Sequence, residues 1–110
     1  MIVRKLYTSL LVPDLASAED WYAKLLGRGP DHRPMDTLVQ WEIFGNAGLM
    51  VSTSEEIAAR GAMFLYIDDL AAENRGLDDL GIALGADIEG DYSVLAQVRD
   101  ADDNLITLAS

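Results

Sequence analysis

Apolar and polar positions alternate at the start of the chain. Over residues 2–12 the pattern reads as a strand, with Leu6, Thr8, Leu10 and Val12 on one side and Tyr7, Ser9 and Leu11 on the other. Pro13 and Asp14 end it. The period then changes: Leu15, Ala18, Tyr22, Leu25 and Leu26 recur at helical spacing, which predicts a helix from about 16 to 27, with Ser17 as N-cap, Asp20 three residues on, and Gly27 as the stop. Residues 28–36 hold Gly29, Pro30 and Pro34 and read as a loop with at most a short irregular strand near 31–35. β-Branched and aromatic residues return over 37–44, a turn follows at Gly45-Asn46-Ala47-Gly48, and residues 49–53 complete a hairpin.

The second half repeats this order. Residues 62–67 form a strand and Asp68 or Asp69 caps the next helix, whose buried side is marked by Leu70, Leu77 and Leu80. Gly81 and Gly85 bracket its exit. A short strand near 86–90 precedes a hairpin of residues 92–99 and 105–109. One stretch makes the repetition visible: Leu10-Leu11-Val12-Pro13-Asp14-Leu15-Ala16 is echoed by Leu65-Tyr66-Ile67-Asp68-Asp69-Leu70-Ala71, 55 residues later in a chain of 110. Each half is strand, helix, then up to three strands, an α+β class. A half of about 55 residues is marginal alone, so residues 1–110 are expected to form one domain of two modules, about 1–54 and 61–110, joined by a linker at 55–60.

Composition narrows the chemistry. The chain has no cysteine, which excludes disulfides and thiolate metal sites. No apolar run approaches the length of a bilayer span, the first residues lack a signal-peptide core, and a soluble cytoplasmic protein is the expectation. The net charge is -11, with twelve acids against three bases in residues 56–110 and seven against five in residues 1–55. Such a surface repels nucleic acid and anionic membrane and attracts cations; it also serves solubility alone.

Four stretches carry a family resemblance: Val12-Pro13-Asp14-Leu15; Trp21-Tyr22 ahead of Leu25-Leu26-Gly27; Ile67-Asp68-Asp69-Leu70; and Arg99-Asp100-Ala101-Asp102-Asp103-Asn104-Leu105-Ile106. With them the chain resembles the vicinal oxygen chelate superfamily, which includes glyoxalase I, extradiol dioxygenases, fosfomycin-resistance enzymes and bleomycin-resistance proteins. The family's late Asp-Pro-x-Gly-Asn has Ala101 in place of Pro and Asp103 in place of Gly here. The resemblance implies two tandem βαβββ modules forming a curled mixed sheet, a cup, with helices outside. It also implies a homodimer, in some members with modules exchanged between chains. The metal enzymes place one ligand on each of four strands, and these positions fall here on Tyr7, Met50, Ala62 and Thr107. A phenol, a thioether, a methyl group and a neutral hydroxyl are a poor donor set for a divalent ion, so neither a metal nor another cofactor is expected.

Alternation from those positions sends Tyr7, Ser9 and Leu11 into the cup, with Phe64 and Tyr66 beside Ala62, and Leu105 and Ala109 beside Thr107. A two-residue turn in the first hairpin adds Trp41 and Ile43 to the face of Met50; a three-residue turn adds Glu42 and Phe44 instead. The candidate ligand-binding set is Tyr7, Ser9, Trp41, Ile43, Met50, Phe64, Tyr66 and Thr107, an aromatic and apolar lining suited to flat ligands. The competing reading is that Trp41, Phe64 and Tyr66 fill the interior. Tyr22 reads as core, and Trp21 as a dimer contact or rim residue. The only histidine, His32, has no Gly-x-Ser-x-Gly partner and reads as a surface residue. The adjacent pairs Asp68-Asp69, Asp78-Asp79 and Asp102-Asp103 point apart and suit caps and turns better than catalysis. No catalytic residue is assigned.

The leading expectation is a binding protein without catalysis, similar to the bleomycin-resistance branch. It would sequester a planar aromatic or peptide natural product, cationic or DNA-binding, in clefts at a homodimer interface. A lyase or isomerase of the same fold is the alternative, and an interaction module with a closed cup is a third.

Overall fold

The computed structural model describes residues 2–53, 61–90 and 93–110. The linker expected at 55–60 and the strand start expected at residue 92 lie outside them. The chain divides into two compact units, Met1–Gly61 and Ala62–Ser110. The first holds β1 (Leu6–Val12), α1 (Leu15–Leu26), β2 (His32–Met35), β3 (Leu38–Phe44) and β4 (Ala47–Thr53). The second holds β5 (Ala62–Tyr66), α2 (Leu70–Asp79), β6 (Ile88–Glu89), β7 (Val94–Arg99) and β8 (Leu105–Ala109). The sheets have the same order, β1-β4-β3-β2 and β5-β8-β7-β6. In each, the strand before the helix pairs in parallel with the last strand of the module, and the other pairings are antiparallel. The two βαβββ modules inferred from the repeat are therefore present.

The repeated Asp is the reason both helices begin where they do. Asp14 accepts from the Ser17 backbone N–H at 3.3 Å and from its hydroxyl at 3.0 Å, so Asp14 is the N-cap and Ser17 lies inside the first turn, not at the cap. These bonds, the backbone one foremost, hold the Asp14 carboxyl below its ordinary pKa. Asp69 does the same for α2, accepting from Ala72 N at 3.0 Å. At the other ends, Gly27 and Gly81 take positive φ. Two of the three expected α2 contacts are present: Leu70 and Leu77 are buried, but Leu80 is half exposed because it falls on the C-cap, and Ile82 is buried beyond the turn. Residues 2–5 stay outside β1, since β4 begins only at Ala47, opposite Leu6.

In the first module, α1 buries Ala18, Tyr22 and Leu25. Leu10, Val12, Val39, Trp41, Leu49 and Val51 form the buried sheet face, and Tyr22 meets Trp41 at 6.4 Å between ring centroids. Burial of this kind contributes about 25 cal/mol per Å² of apolar surface.

The β7–β8 turn explains the late motif. Asp100, buried, accepts from the backbone of Asp102 and Asn104 at 2.9 Å each and from the Asn104 side chain at 2.8 Å. Asp103 sits at φ 69°, the left-handed region, where the resembling pattern carries Gly. Asp103→Gly is expected to stabilise the protein by about 0.5–1 kcal/mol, read as a higher Tm. An unchanged or lower Tm would show that the Asp103 side chain contributes more than its backbone costs.

Candidate functional site

The register of the first module places its chemistry. Tyr7 lies opposite Gly48, and Gly48 opposite Glu42; Ser9 lies opposite Met50, Met50 opposite Gln40, and Gln40 opposite His32. Opposed residues share a face, so these side chains line the sheet face away from α1. Gly48 makes the first row possible. A Cβ there would lie 2.5 Å from the Tyr7 ring and 2.5 Å from the Trp41 carbonyl oxygen. With no side chain in the way, the Tyr7 ring crosses β4 and its hydroxyl donates to Glu42 Oε1 at 2.7 Å. Gln40 Nε2 donates to the Tyr7 oxygen at 3.1 Å and to Glu42 Oε1 at 3.2 Å. Lys5 Nζ lies 3.4 Å from Glu42 Oε2, and His32 Nε2 3.8 Å from Glu42 Oε1.

Hydrogen bonding decides the charge state of this group. The Tyr7 hydroxyl, then Gln40 and Lys5, hold the Glu42 carboxyl below its ordinary pKa, against partial burial that raises it. The hydrogen bonds to Tyr7 and Glu42 raise the Lys5 amine. Glu42 is thus an anion oriented on one oxygen by two neutral donors. Its backbone is held as well: its N–H donates to Asp31 Oδ2 at 2.7 Å, and Arg28 donates to its carbonyl. Asp31 is in turn held ionised chiefly by Arg28 at 2.7 Å.

The turn of the first hairpin has two residues, since Phe44 pairs with Ala47. The face assignment expected for that turn nevertheless fails. The register shifts between Glu42 and Phe44, a bulge at Ile43, so Met50 lies opposite Gln40 and Trp41 lies opposite Leu49. Trp41 is on the helix-side face, fully buried, with its indole N–H donating to the Arg28 carbonyl at 3.0 Å. Ile43, in the bulge, has no opposed partner in β4. Gln40 and Glu42 take the places expected for Trp41 and Ile43. Glu42 was within reach as the alternative for a longer turn, but Gln40 and His32 had no sequence signal, because a bulge leaves none in the alternation.

In the second module, Phe64 lies opposite Thr107, and Thr107 opposite Gln97; Tyr66 lies opposite Ala109, and Ala109 opposite Leu95. Phe64 and Tyr66 are in contact with their rings tilted by 53° at 5.1 Å between centroids, and are 51% and 78% exposed. They do not fill the interior of this module. Thr107 is buried and accepts from Gln97 Nε2 at 3.1 Å. A shallow cleft of about 330 Å³ adjoins this face, lined by Gly85, Ala86, Ile88, Gln97, Val98, Arg99 and Leu105. A larger hollow of about 440 Å³ lies at the start of α2, between Asp69, Asn74, Arg75, Asp87 and Ser110, and none of the expected site residues lines it.

No protein-family model matches the chain, and no curated protein matches it in sequence. Solved structures do match. The glyoxalase/bleomycin resistance protein of Catenulispora acidiphila is similar at a TM-score of 0.85 and 24% identity, with 96% of each chain covered. The chain has the glyoxalase/bleomycin-resistance fold. A bleomycin-binding protein complexed with bleomycin is similar at a TM-score of 0.75 and 20% identity, covering 100% of this chain and 98% of that one. A lactoylglutathione lyase from Agrobacterium tumefaciens is similar at 0.76 and 19%, covering 94% and 90%. The resemblance to the vicinal oxygen chelate superfamily holds at the level of this fold.

The four positions where the resemblance implies metal ligands are Tyr7, Met50, Ala62 and Thr107. Tyr7 is committed to Glu42 and Thr107 accepts from Gln97; Met50 and Ala62 offer a thioether and a methyl group. Among the described residues, no three of His, Cys, Asp and Glu are arranged to hold an ion. The donors present do not fit a divalent metal. No helix among the described residues is long and apolar enough to cross a membrane.

Proposed function

We propose that this chain is a non-catalytic binding protein that captures a planar aromatic natural product carrying positive charge. The observation that supports this best is the exposed Phe64–Tyr66 ring pair. Two large rings left in water cost hydrophobic free energy unless something covers them. A flat ring system is the natural cover, and rings also attract cations. The net charge of -11 adds a long-range pull on a cationic ligand. Thr107 lies opposite Phe64 on the second module's face, and Tyr7, Ser9 and Met50 share a face of the first module, which is proposed as a contact surface in its own right. The similar bleomycin-binding protein gives the reading a precedent within the fold. Sequestration in the cytoplasm, in clefts of a homodimer, would then protect the host by stoichiometric capture.

Equilibrium dialysis against bleomycin and against the intercalating cation proflavine tests this. Phe64→Ala and Tyr66→Ala are each expected to weaken binding about tenfold with little change in Tm, because both rings are exposed. A wild-type protein that binds neither probe would end the proposal. Trp fluorescence is a poor reporter here, because Trp41 is buried on the helix-side face and Trp21 lies on α1. The alternative, a lyase or isomerase, draws support from the ionised Glu42 in contact with the Tyr7 phenol. Turnover of a glutathione hemithioacetal together with a divalent ion retained in stoichiometric amount would favour it.

A further inference from the structure

Glu42 already has a cationic occupant. Its Oε1 is taken by Tyr7 and Gln40, at 2.7 and 3.2 Å, and its Oε2 faces Lys5 Nζ at 3.4 Å. The same amine is 3.4 Å from the Tyr7 oxygen and 5.8 Å from the centroid of its ring. Carboxylate and aromatic ring together make a subsite for a cation. The fit of Lys5 is loose: a charge-assisted N–H···O bond is normally about 2.7–2.9 Å, and the Lys5 side chain is 49% exposed. Lys5 also precedes β1, which begins at Leu6, so its backbone is outside the strand ladder. Glu42, by contrast, is fixed in β3 by its ladder, by Asp31 and by Arg28. One partner is rigid and the other can leave.

We propose that Glu42 and the Tyr7 ring form the subsite for a positively charged N–H group of the ligand, and that Lys5 is a built-in cation which that group displaces. The inference rests on the binding-protein reading and names the part of the ligand this face recognises. The exchange is nearly isoenergetic for Glu42, which trades one cation for another. Lys5 returns to water, where exposed ion pairs lose little. Lys5 therefore acts as a competitor that lowers affinity for weakly cationic or neutral ligands and screens for those whose charge can replace its own.

Proflavine binding to four variants tests this at low ionic strength. Lys5→Met is expected to tighten binding about 2- to 5-fold, the weight of an exposed ion pair. Glu42→Gln is expected to weaken it about tenfold, the loss of a charge-assisted contact. The double variant should match Glu42→Gln, because removing the competitor gains nothing once the carboxylate is gone. Lys24→Met changes the net charge equally but sits on α1 paired with Asp20, and should leave affinity unchanged. Equal tightening by Lys5→Met and Lys24→Met would reduce the effect to overall charge and overturn the subsite. Unchanged affinity in Glu42→Gln would overturn it as well. Amine-reactive labelling gives a readout independent of folding in the variants: wild-type Lys5 should label several-fold faster with proflavine bound, and equal or slower labelling would show that Lys5 is not displaced. If wild-type protein binds neither proflavine nor bleomycin, the binding-protein reading fails first; binding that ignores Lys5 and Glu42 removes only this inference.

Discussion

Trp41→Ala lowers the free energy of unfolding by about 3–5 kcal/mol, measured by urea denaturation followed by circular dichroism. The indole is fully buried in the helix-side core of the first module, against Tyr22 of α1, and is the largest of the fully buried side chains. Truncation opens a cavity between sheet and helix. It also removes the hydrogen bond from the indole N–H to the Arg28 carbonyl, which ties the chain leaving α1 to β3. That chain positions Asp31, the partner of the Glu42 backbone, so the loss reaches the far face of the sheet. A loss of this size is a large fraction of the roughly 5–15 kcal/mol that a small domain has in total. Trp41→Phe should cost clearly less, since a ring remains and only part of the volume and the hydrogen bond are lost. A change under about 1 kcal/mol for Trp41→Ala, accompanied by lost ligand binding, would put Trp41 back among the ligand contacts and refute its assignment to the core.

Gly48→Ala is expected to cost about 1–3 kcal/mol and to break the Tyr7–Glu42 hydrogen bond at the same time. The new methyl group would stand 2.5 Å from both the Tyr7 ring and the Trp41 carbonyl oxygen. The ring can swing away, and then its hydroxyl no longer reaches Glu42 two strands over. The carbonyl belongs to the neighbouring strand and can move only by spreading the β3–β4 ladder. Adding Tyr7→Ala to Gly48→Ala should therefore recover part of the lost stability but not all of it. Denaturation reads the energy, and the ring resonances of Tyr7 read the displacement. A stable Gly48→Ala protein with unchanged Tyr7 resonances would show that the strands adjust freely, and that glycine is not what brings Tyr7 and Glu42 together.

The two modules were legible because the features that set them are local. Asp14 and Asp69, 55 residues apart, each end an apolar run and each accept from a backbone N–H three residues on. A capping carboxylate needs only its own next turn, so the repeat marks both positions, although Ser17 reads as the first cap in the sequence and Asp14 holds that place in the structure. The alternation of β1 was equally plain and put Tyr7 and Ser9 on one face with Met50. The hairpin of strands 37–44 and 49–53 was legible with its turn left open between two and three residues, yet Trp41 and Ile43 are not the β3 residues that share a face with Met50. The reason is a single bulged residue at Ile43, since one extra residue reverses every side chain beyond it. Leu80 was misplaced for a similar reason: helical spacing continued on paper through a position that is the cap in space.

What residue order alone determined is the sequence of elements, the duplicated plan, the cap of the second helix and the poor fit of the four expected ligand positions to a metal. These follow from period, capping chemistry and donor type, all of which act over a few residues. The tertiary structure decided which side chains meet. It buried Trp41, left Phe64 and Tyr66 exposed and in contact, and carried Tyr7 over Gly48 to an ionised Glu42 with Lys5 beside it. Those contacts join residues up to 37 positions apart, and their register depends on a bulge that composition and spacing do not encode.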